Sequence, residues 1–126
     1  MIAIGIGCRR GADGASIVTL VRRARALVAA VAEDAVLVSH ERKRDEARLI
    51  AAAAELGLTL RFLTAEALRE VEARIVTPSQ HSAAAVGIAS VSEAAALAGA
   101  GPGARLILPR ISGDGVTCAI AEGPGR

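Results

Sequence analysis

Met1-Ile-Ala-Ile-Gly5-Ile-Gly7-Cys8-Arg9-Arg10-Gly11 is the stretch on which the reading of this chain turns. A short apolar run stops in glycines, two arginines and a further glycine, and a helical pattern follows. That order predicts a buried strand over Ile2–Ile6 that enters a tight turn at a helix N-terminus. Backbone N–H groups converge at such a turn, and the positive end of the helix dipole favours an anion there. Arg9 and Arg10 bring guanidiniums that can fork onto a carboxylate or phosphate. The plainer alternative is a strand-to-helix turn that needs small residues, with both arginines solvated.

Working outward, Asp13 or Ser16 can cap a helix to about Val31, with Ile17, Val18, Val21, Ala24, Leu27, Val28 and Val31 at helical spacing. Ala35–Val38 reads as a second strand. Arg44–Leu56 reads as a helix stopped by Gly57, and Leu58–Leu63 as a third strand. Thr64 caps a short helix to about Val71. Residues 74–89 hold a short apolar pair, then Pro78 and small polar residues, and read as strand start or loop. Ser90 opens a helix to about Ala100. Arg105–Leu108 and Val116–Ala121 form a hairpin around Gly113-Asp114-Gly115. The expected fold class is α/β: a three-layer α/β/α sandwich on a mostly parallel, mixed five-stranded sheet. It forms one domain over residues 1–121, with 122–126 as a flexible tail. Ligands in such folds sit at the carboxyl ends of the strands. The Gly5–Gly11 turn, His40–Glu46 and the loop before Ser90 all fall at that edge.

Composition narrows the function. The chain has 126 residues, 52% of them apolar, and Phe62 is its one aromatic side chain. The core must be aliphatic, with small residues letting helices approach closely. A net charge of +2 on scattered arginines, with no aromatic stacking platform, argues against a nucleic-acid partner. No apolar run approaches the roughly 20 residues of a membrane span, and no basic segment precedes the first apolar run. The expectation is a cytoplasmic protein without a membrane partner. Cys8 and Cys118 are far apart in sequence, and His40 and His81 lack ligand spacing with each other or with either cysteine, so neither a metal nor another cofactor is expected. Gly5-x-Gly7-x-x-x-Gly11 departs from the dinucleotide fingerprint, whose third glycine comes one position earlier. No G-x-S-x-G elbow is present.

Three clusters could carry chemistry. Cys8, at a strand end near a helix start, sits where a thiol pKa is lowered, which would suit a nucleophile; the alternative is a small buried side chain, as for Cys118. Lys43 with Asp45 or Glu46 could recognise charge or transfer protons. Asp45 and Glu46 would equally suit the first turn of the following helix. Ser90-Val-Ser-Glu93 is a capping box, in which the Ser90 hydroxyl serves the Glu93 N–H and the Glu93 carboxylate reaches back. Alternatively, Ser90 and Ser92 offer hydroxyls and free N–H groups to a substrate carboxylate.

Four segments in order, Gly5-Ile-Gly7-Cys8-Arg9-Arg10-Gly11, Lys43-Arg-Asp45-Glu46, Ser90-Val-Ser-Glu93-Ala-Ala-Ala-Leu97 and Gly115-Val-Thr117-Cys-Ala-Ile-Ala121, resemble the CobE / CbiG C-terminal-domain family of cobalamin biosynthesis. The resemblance covers nearly the whole chain. It implies a three-layer α/β fold and a corrin or precorrin small molecule as ligand, with other cobalamin-pathway enzymes as partners. In CbiG the domain is the C-terminal half of a cobalt-precorrin-5A hydrolase, which opens a ring lactone and releases acetaldehyde. At this length the chain looks like the stand-alone CobE form of the aerobic route. By motif position, the resemblance puts Lys43, Glu46 and Cys8 in catalytic roles. It makes Gly5, Gly7, Arg9, Arg10, Gly11, Ser90, Ser92, Glu93 and Thr117 ligand-binding, the arginines, helix N-termini and hydroxyls meeting the acetate and propionate carboxylates of the ring. Arg44 departs from the family pattern, which has a small residue after the lysine, and the lack of rings leaves only Phe62 to stack on a macrocycle. Two rival readings are a nucleotide- or phosphometabolite-binding α/β domain and a non-catalytic subunit.

Overall fold

The structure, a computed structural model, describes residues 1–9, 11–28, 35–75 and 90–123. Arg10, His81, the end of the first predicted helix and the segment 76–89 lie outside the described residues. Among the described residues the chain forms, in order, β1 (Ile2–Cys8), α1 (Gly14–Val28), β2 (Val36–His40), α2 (Ala47–Leu56), β3 (Thr59–Leu63), α3 (Ala65–Arg69), α4 (Val91–Ala100), β4 (Arg105–Gly113) and β5 (Val116–Glu122). The sheet order is β3-β2-β1-β5-β4. The β1–β2 and β2–β3 pairs are parallel, whereas β5 runs antiparallel to both β1 and β4. Four strands therefore share one direction and only β5 opposes them, which is the mixed, mostly parallel sheet expected.

Local chemistry sets the boundaries. Asp13 caps α1, its Oδ1 accepting from the Ala15 N–H at 3.2 Å. Gly57, at φ +71°, takes the left-handed conformation that ends α2. Thr64 Oγ1 accepts from Ala67 N and starts α3. The first strand differs from its prediction: β1 runs through Gly5 and Gly7 to Cys8, so these glycines are extended strand residues, and Gly11 at φ +80° makes the turn. The second helix begins at Ala47, three residues after the predicted start. His40 Nδ1 accepts the Arg42 N–H at 3.0 Å and winds Glu41–Lys43 into a separate 3-10 turn. At the other edge, β4 continues past Pro109 by shifting register between Leu106 and Ile111. An edge strand tolerates a proline, which cannot donate to a ladder. Glu122, given to the tail by the sequence, is the last residue of β5 and pairs with Ile2. The next residue, Gly123, donates its N–H to Met1 O, and residues 124–126 lie outside the described residues.

The two faces of the sheet are covered differently. On one, Ile2, Ile4 and Ile6 of β1, Leu37 of β2 and Ile120 of β5 pack with Ile17, Leu20 and Val21 of α1 and Leu49 of α2. On the other, Ala3, Ala119 and Ala121 meet Ala94, Ala95, Ala96 and Ala100 of α4, with Leu68 of α3 and Leu97. Helix α4 comes so close that a Cβ on Gly5 would overlap the Ser92 carbonyl oxygen, and one on Gly99 would lie 2.7 Å from Val38 Cγ2. The side chains of α4 are buried at nearly every position from Ser92 to Ala100.

Candidate functional site

Helices α1 and α2 cover one face and α4 the other, so the connections diverge around the carboxyl end of β1, where a crevice opens in such sheets. The strand's last two residues point to opposite sides of it. Cys8 packs against the α1/α2 core, while Gly7 lies under the first turn of α4.

On the Cys8 side the structure brings together the three residues predicted to be catalytic. Burial pushes the half-buried Cys8 thiol above its ordinary value; the Lys43 ammonium pulls it part of the way back, and the Glu46 carboxylate pushes it up again. Both charges are therefore close enough to act on the sulfur. Of the two readings the sequence leaves open for Cys8, this is the small buried side chain, because desolvation of a thiolate outweighs the nearby cation. Glu46 occupies the N-cap position of α2 yet makes no side-chain cap bond, so its carboxylate is not spent on the helix. The separate 3-10 turn, not the helix, presents Lys43. Arg44 is exposed, so its bulk meets no packing constraint. Cys118, predicted as packing, is fully buried, and desolvation pushes its thiol up to about 12.

On the Gly7 side, Ser90, Ser92 and Glu93 sit in or before the first turn of α4, and all three are buried. Ser90 Oγ accepts from the Glu93 N–H at 3.4 Å, the first half of the predicted capping box. The Glu93 carboxylate reaches the sheet, where Oε2 accepts from the Arg110 N–H at 2.9 Å. Arg110 follows Pro109 in the irregular part of β4, so Glu93 satisfies a donor that the broken ladder leaves over. Thr117, opposite Gly7 on β5, donates its hydroxyl to Gly7 O at 3.3 Å. Arg9 hydrogen-bonds through its N–H to Gly115 O, and its side chain lies over Gly115.

The predicted anion cradle at the start of α1 does not take shape as expected. The Asp13 carboxylate occupies that helix's N-terminus, and the Gly11 carbonyl accepts from Arg48 Nη1. Gly5 serves instead to admit α4, and Gly7 leaves room for the Thr117 hydroxyl of β5. A cavity of about 230 Å³ lies beside this turn, with Ser16, Thr19, Arg23 and Asp114 around Leu20; none of the predicted site residues lines it.

Sequence reasoning passed over Ser39 and the capping role of His40, two buried side chains that shape the edge. Ser39 Oγ donates to Ile6 O at 2.8 Å, fixing β2 against β1. His40 winds the Lys43 turn, and burial holds its imidazole below its ordinary pKa; the Glu41 carboxylate opposes this, while Arg42, Arg69 and Lys43 add to it. A bond spanning 33 residues has no local signature, whereas the His40 cap could have been read from its place before a charged turn. Among the described residues no group of three or more His, Cys, Asp or Glu side chains is placed to hold a metal ion, and no helix is long and apolar enough to cross a membrane.

The sequence model of the family described as cobalamin synthesis G C-terminus matches residues 2–121. The chain belongs to this family. Within its relatives, the chain is 33% identical over 121 residues to the protein CobE of a Sinorhizobium species, covering 95% of this chain and 79% of that protein. A crystal structure of CobE, a protein from the cobalamin (vitamin B12) biosynthetic pathway, superposes with a TM-score of 0.84 at 34% identity, over 96% of this chain and 89% of that one. The cobalamin biosynthesis protein chiG from Agrobacterium tumefaciens is 39% identical, with a TM-score of 0.75 and coverage of 98% and 99%. A cobalamin biosynthesis protein G homologue from Sulfolobus solfataricus shares the fold, with a TM-score of 0.72 at 24% identity, and this chain spans 37% of its length.

Proposed function

We propose that this chain serves cobalamin synthesis by holding a corrin-ring intermediate at the carboxyl end of β1 through the ring's peripheral carboxylates, with Lys43 and Glu46 as the acid–base pair. The observation that carries the reading is the convergence of Cys8, Lys43 and Glu46 at that point, reached from β1, a 3-10 turn and the start of α2. The Lys43 ammonium pairs with a ring carboxylate as a compact charge. The Glu46 carboxylate, uncommitted to its helix, takes a proton from water or a ring substituent and returns it. Cys8 contributes a neutral thiol that shapes the pocket wall.

A second reading is a carrier that binds and passes on an intermediate without chemistry; the raised Cys8 pKa speaks against a nucleophilic thiolate in either reading. Gel filtration of the protein with the corrin hydrogenobyrinic acid, followed by product analysis of the fractions, separates the two. The protein has no Trp or Tyr, so the tetrapyrrole dominates the spectrum. Co-elution with a new product that Glu46→Ala abolishes makes it an enzyme. Co-elution without a product makes it a carrier. Elution of unchanged pigment apart from the protein overturns both.

A further inference from the structure

Lys43 and Glu46 reach Cys8 on one short piece of chain, and that piece hangs from His40. His40 is the last residue of β2, paired with Leu63 of β3 and only 5% exposed. Its Nδ1 accepts the Arg42 N–H at 3.0 Å. The Arg44 N–H donates to Glu41 O at 3.1 Å, and the Glu46 N–H to Lys43 O at 2.9 Å. From there helix α2 takes over, the Glu46 carbonyl accepting from the N–H groups of Leu49 and Ile50. Each bond places the residue that carries the next, so a buried side chain sets the run from His40 to Glu46 at its start. The turn itself is a single 3-10 turn of three residues, too short to hold its shape without a cap. Its tether to α3, from the Ala65 N–H to Glu41 Oε2, is longer at 3.5 Å and weaker.

A ring nitrogen that accepts a hydrogen bond cannot carry a proton, so the imidazole is neutral in this arrangement and Nε2 holds its hydrogen. A second proton would go onto Nδ1, set a donor against the Arg42 N–H and break the cap. Burial resists that proton most; Arg42 and Lys43 on the turn and Arg69 on α3 resist it too, while the Glu41 carboxylate favours it. Neutral solution therefore keeps the cap and acid removes it. We propose that His40 is a positioning residue for Lys43: the neutral ring holds the turn that sets the ammonium beside the Cys8 thiol, and a protonated ring releases it. What Lys43 does to a ligand rests on the proposed function, whereas where Lys43 stands does not.

Cys8 reports the place of Lys43 without any ligand. It is half-buried, whereas Cys118 is fully buried with its thiol pushed up to about 12, so iodoacetamide reads Cys8. Alkylation rates are followed from pH 7 to pH 10 in wild type, Lys43→Ala, His40→Ala and His40→Asn. Lys43→Ala should raise the midpoint of the profile by on the order of half a pH unit, the worth of one nearby charge in partly wet surroundings. His40→Ala should raise it as far, while His40→Asn, which keeps a capping acceptor, should match wild type. A wild-type midpoint in His40→Ala, or in Lys43→Ala, overturns the positioning role. Release is read by NMR as protection of the Arg42 amide against hydrogen exchange, relative to an unstructured peptide at each pH. Protection should fall severalfold from pH 7.5 to pH 5 in wild type and stay level in His40→Asn; a level value in wild type, or an equal fall in both, overturns release by a proton. Titration with hydrogenobyrinic acid at pH 7.5 separates this role from the proposed function. If His40→Ala binds as weakly as Lys43→Ala, both stand. If the thiol midpoints shift as expected but wild type ignores the corrin, the positioning role stands and the corrin reading falls.

Discussion

The two faces of the sheet solve the same packing problem in opposite ways. The face under α1 and α2 is filled with branched aliphatic side chains, and its helices stand off at the distance those side chains impose. The face under α4 is lined with alanine and glycine, and backbone nearly touches backbone. The first arrangement is stabilised by burial of large apolar area, roughly 25 cal/mol per Å². The second buries less area per residue but brings α4 so close that an added Cβ at Gly5 or Gly99 finds no room. The difference teaches why the candidate ligand groups lie on both sides. The bulky side holds a charged turn around Cys8 that side-chain motion can adjust. The small-residue side holds the first turn of α4 against Gly7.

That contrast can be broken by substitution. Gly5→Val should cost the most: its Cβ alone overlaps the Ser92 carbonyl, and α4 must lift from the sheet. A loss of about 3 kcal/mol or more is expected, read as a shift of the urea midpoint; retention of wild-type stability would show that α4 is not fixed by backbone contact. Ile4→Ala, on the bulky face, should cost about 2–5 kcal/mol by leaving a cavity. Ile4→Val should cost only about 1 kcal/mol, because that face can settle around a missing methyl. If adding the first Cβ at Gly5 proves no worse than removing one methyl at Ile4, the two faces do not differ as described.

The smaller effects concern the edge. The folded state holds His40 below its ordinary pKa of 6.5, so the unfolded chain takes up a proton that the folded chain refuses. Stability is then unchanged above about pH 6.5 and falls as pH drops through that value toward the lowered folded pKa. His40→Asn keeps an acceptor for the Arg42 N–H but cannot titrate, so its urea midpoint should fall less between pH 7.5 and pH 5.5 than that of wild type. An equal fall in both would remove His40 as the cause. Glu46→Ala, last in size, should leave stability within about 0.5 kcal/mol, since the carboxylate makes no cap bond. A larger loss would give Glu46 a structural role and weaken its assignment to the site.

Much of this was legible in the sequence. The strands, the Gly57 stop, the Thr64 and Ser90 caps and the terminal hairpin follow from period and turn chemistry, which act locally. The alanine-rich composition already announced close helix packing. What could not be read was the partner of Gly5. A glycine that makes a turn and a glycine that admits a helix from 80-odd positions away look alike in a chain, and only the fold tells them apart. The same holds for Glu93, whose capping-box spacing is genuine but whose carboxylate serves a β4 donor made available by Pro109. The convergence of Lys43 and Glu46 on Cys8 was anticipated by family resemblance rather than by spacing. For Cys8 the sequence left a lowered-pKa nucleophile and a small buried side chain side by side, and burial, which local position does not report, decides for the second.

The account's central claim, that peripheral carboxylates hold the ring at the end of β1, is tested most directly by comparing two ligands. Hydrogenobyrinic acid and the same corrin with its side-chain carboxylates converted to amides would be titrated into the wild-type protein and into Lys43→Ala, following the tetrapyrrole absorbance. The account predicts that wild type binds the acid at least tenfold more tightly than the amide, a gap of about 1.4 kcal/mol or more, and that Lys43→Ala narrows it. Equal binding of acid and amide, or a gap untouched by Lys43→Ala, would contradict it.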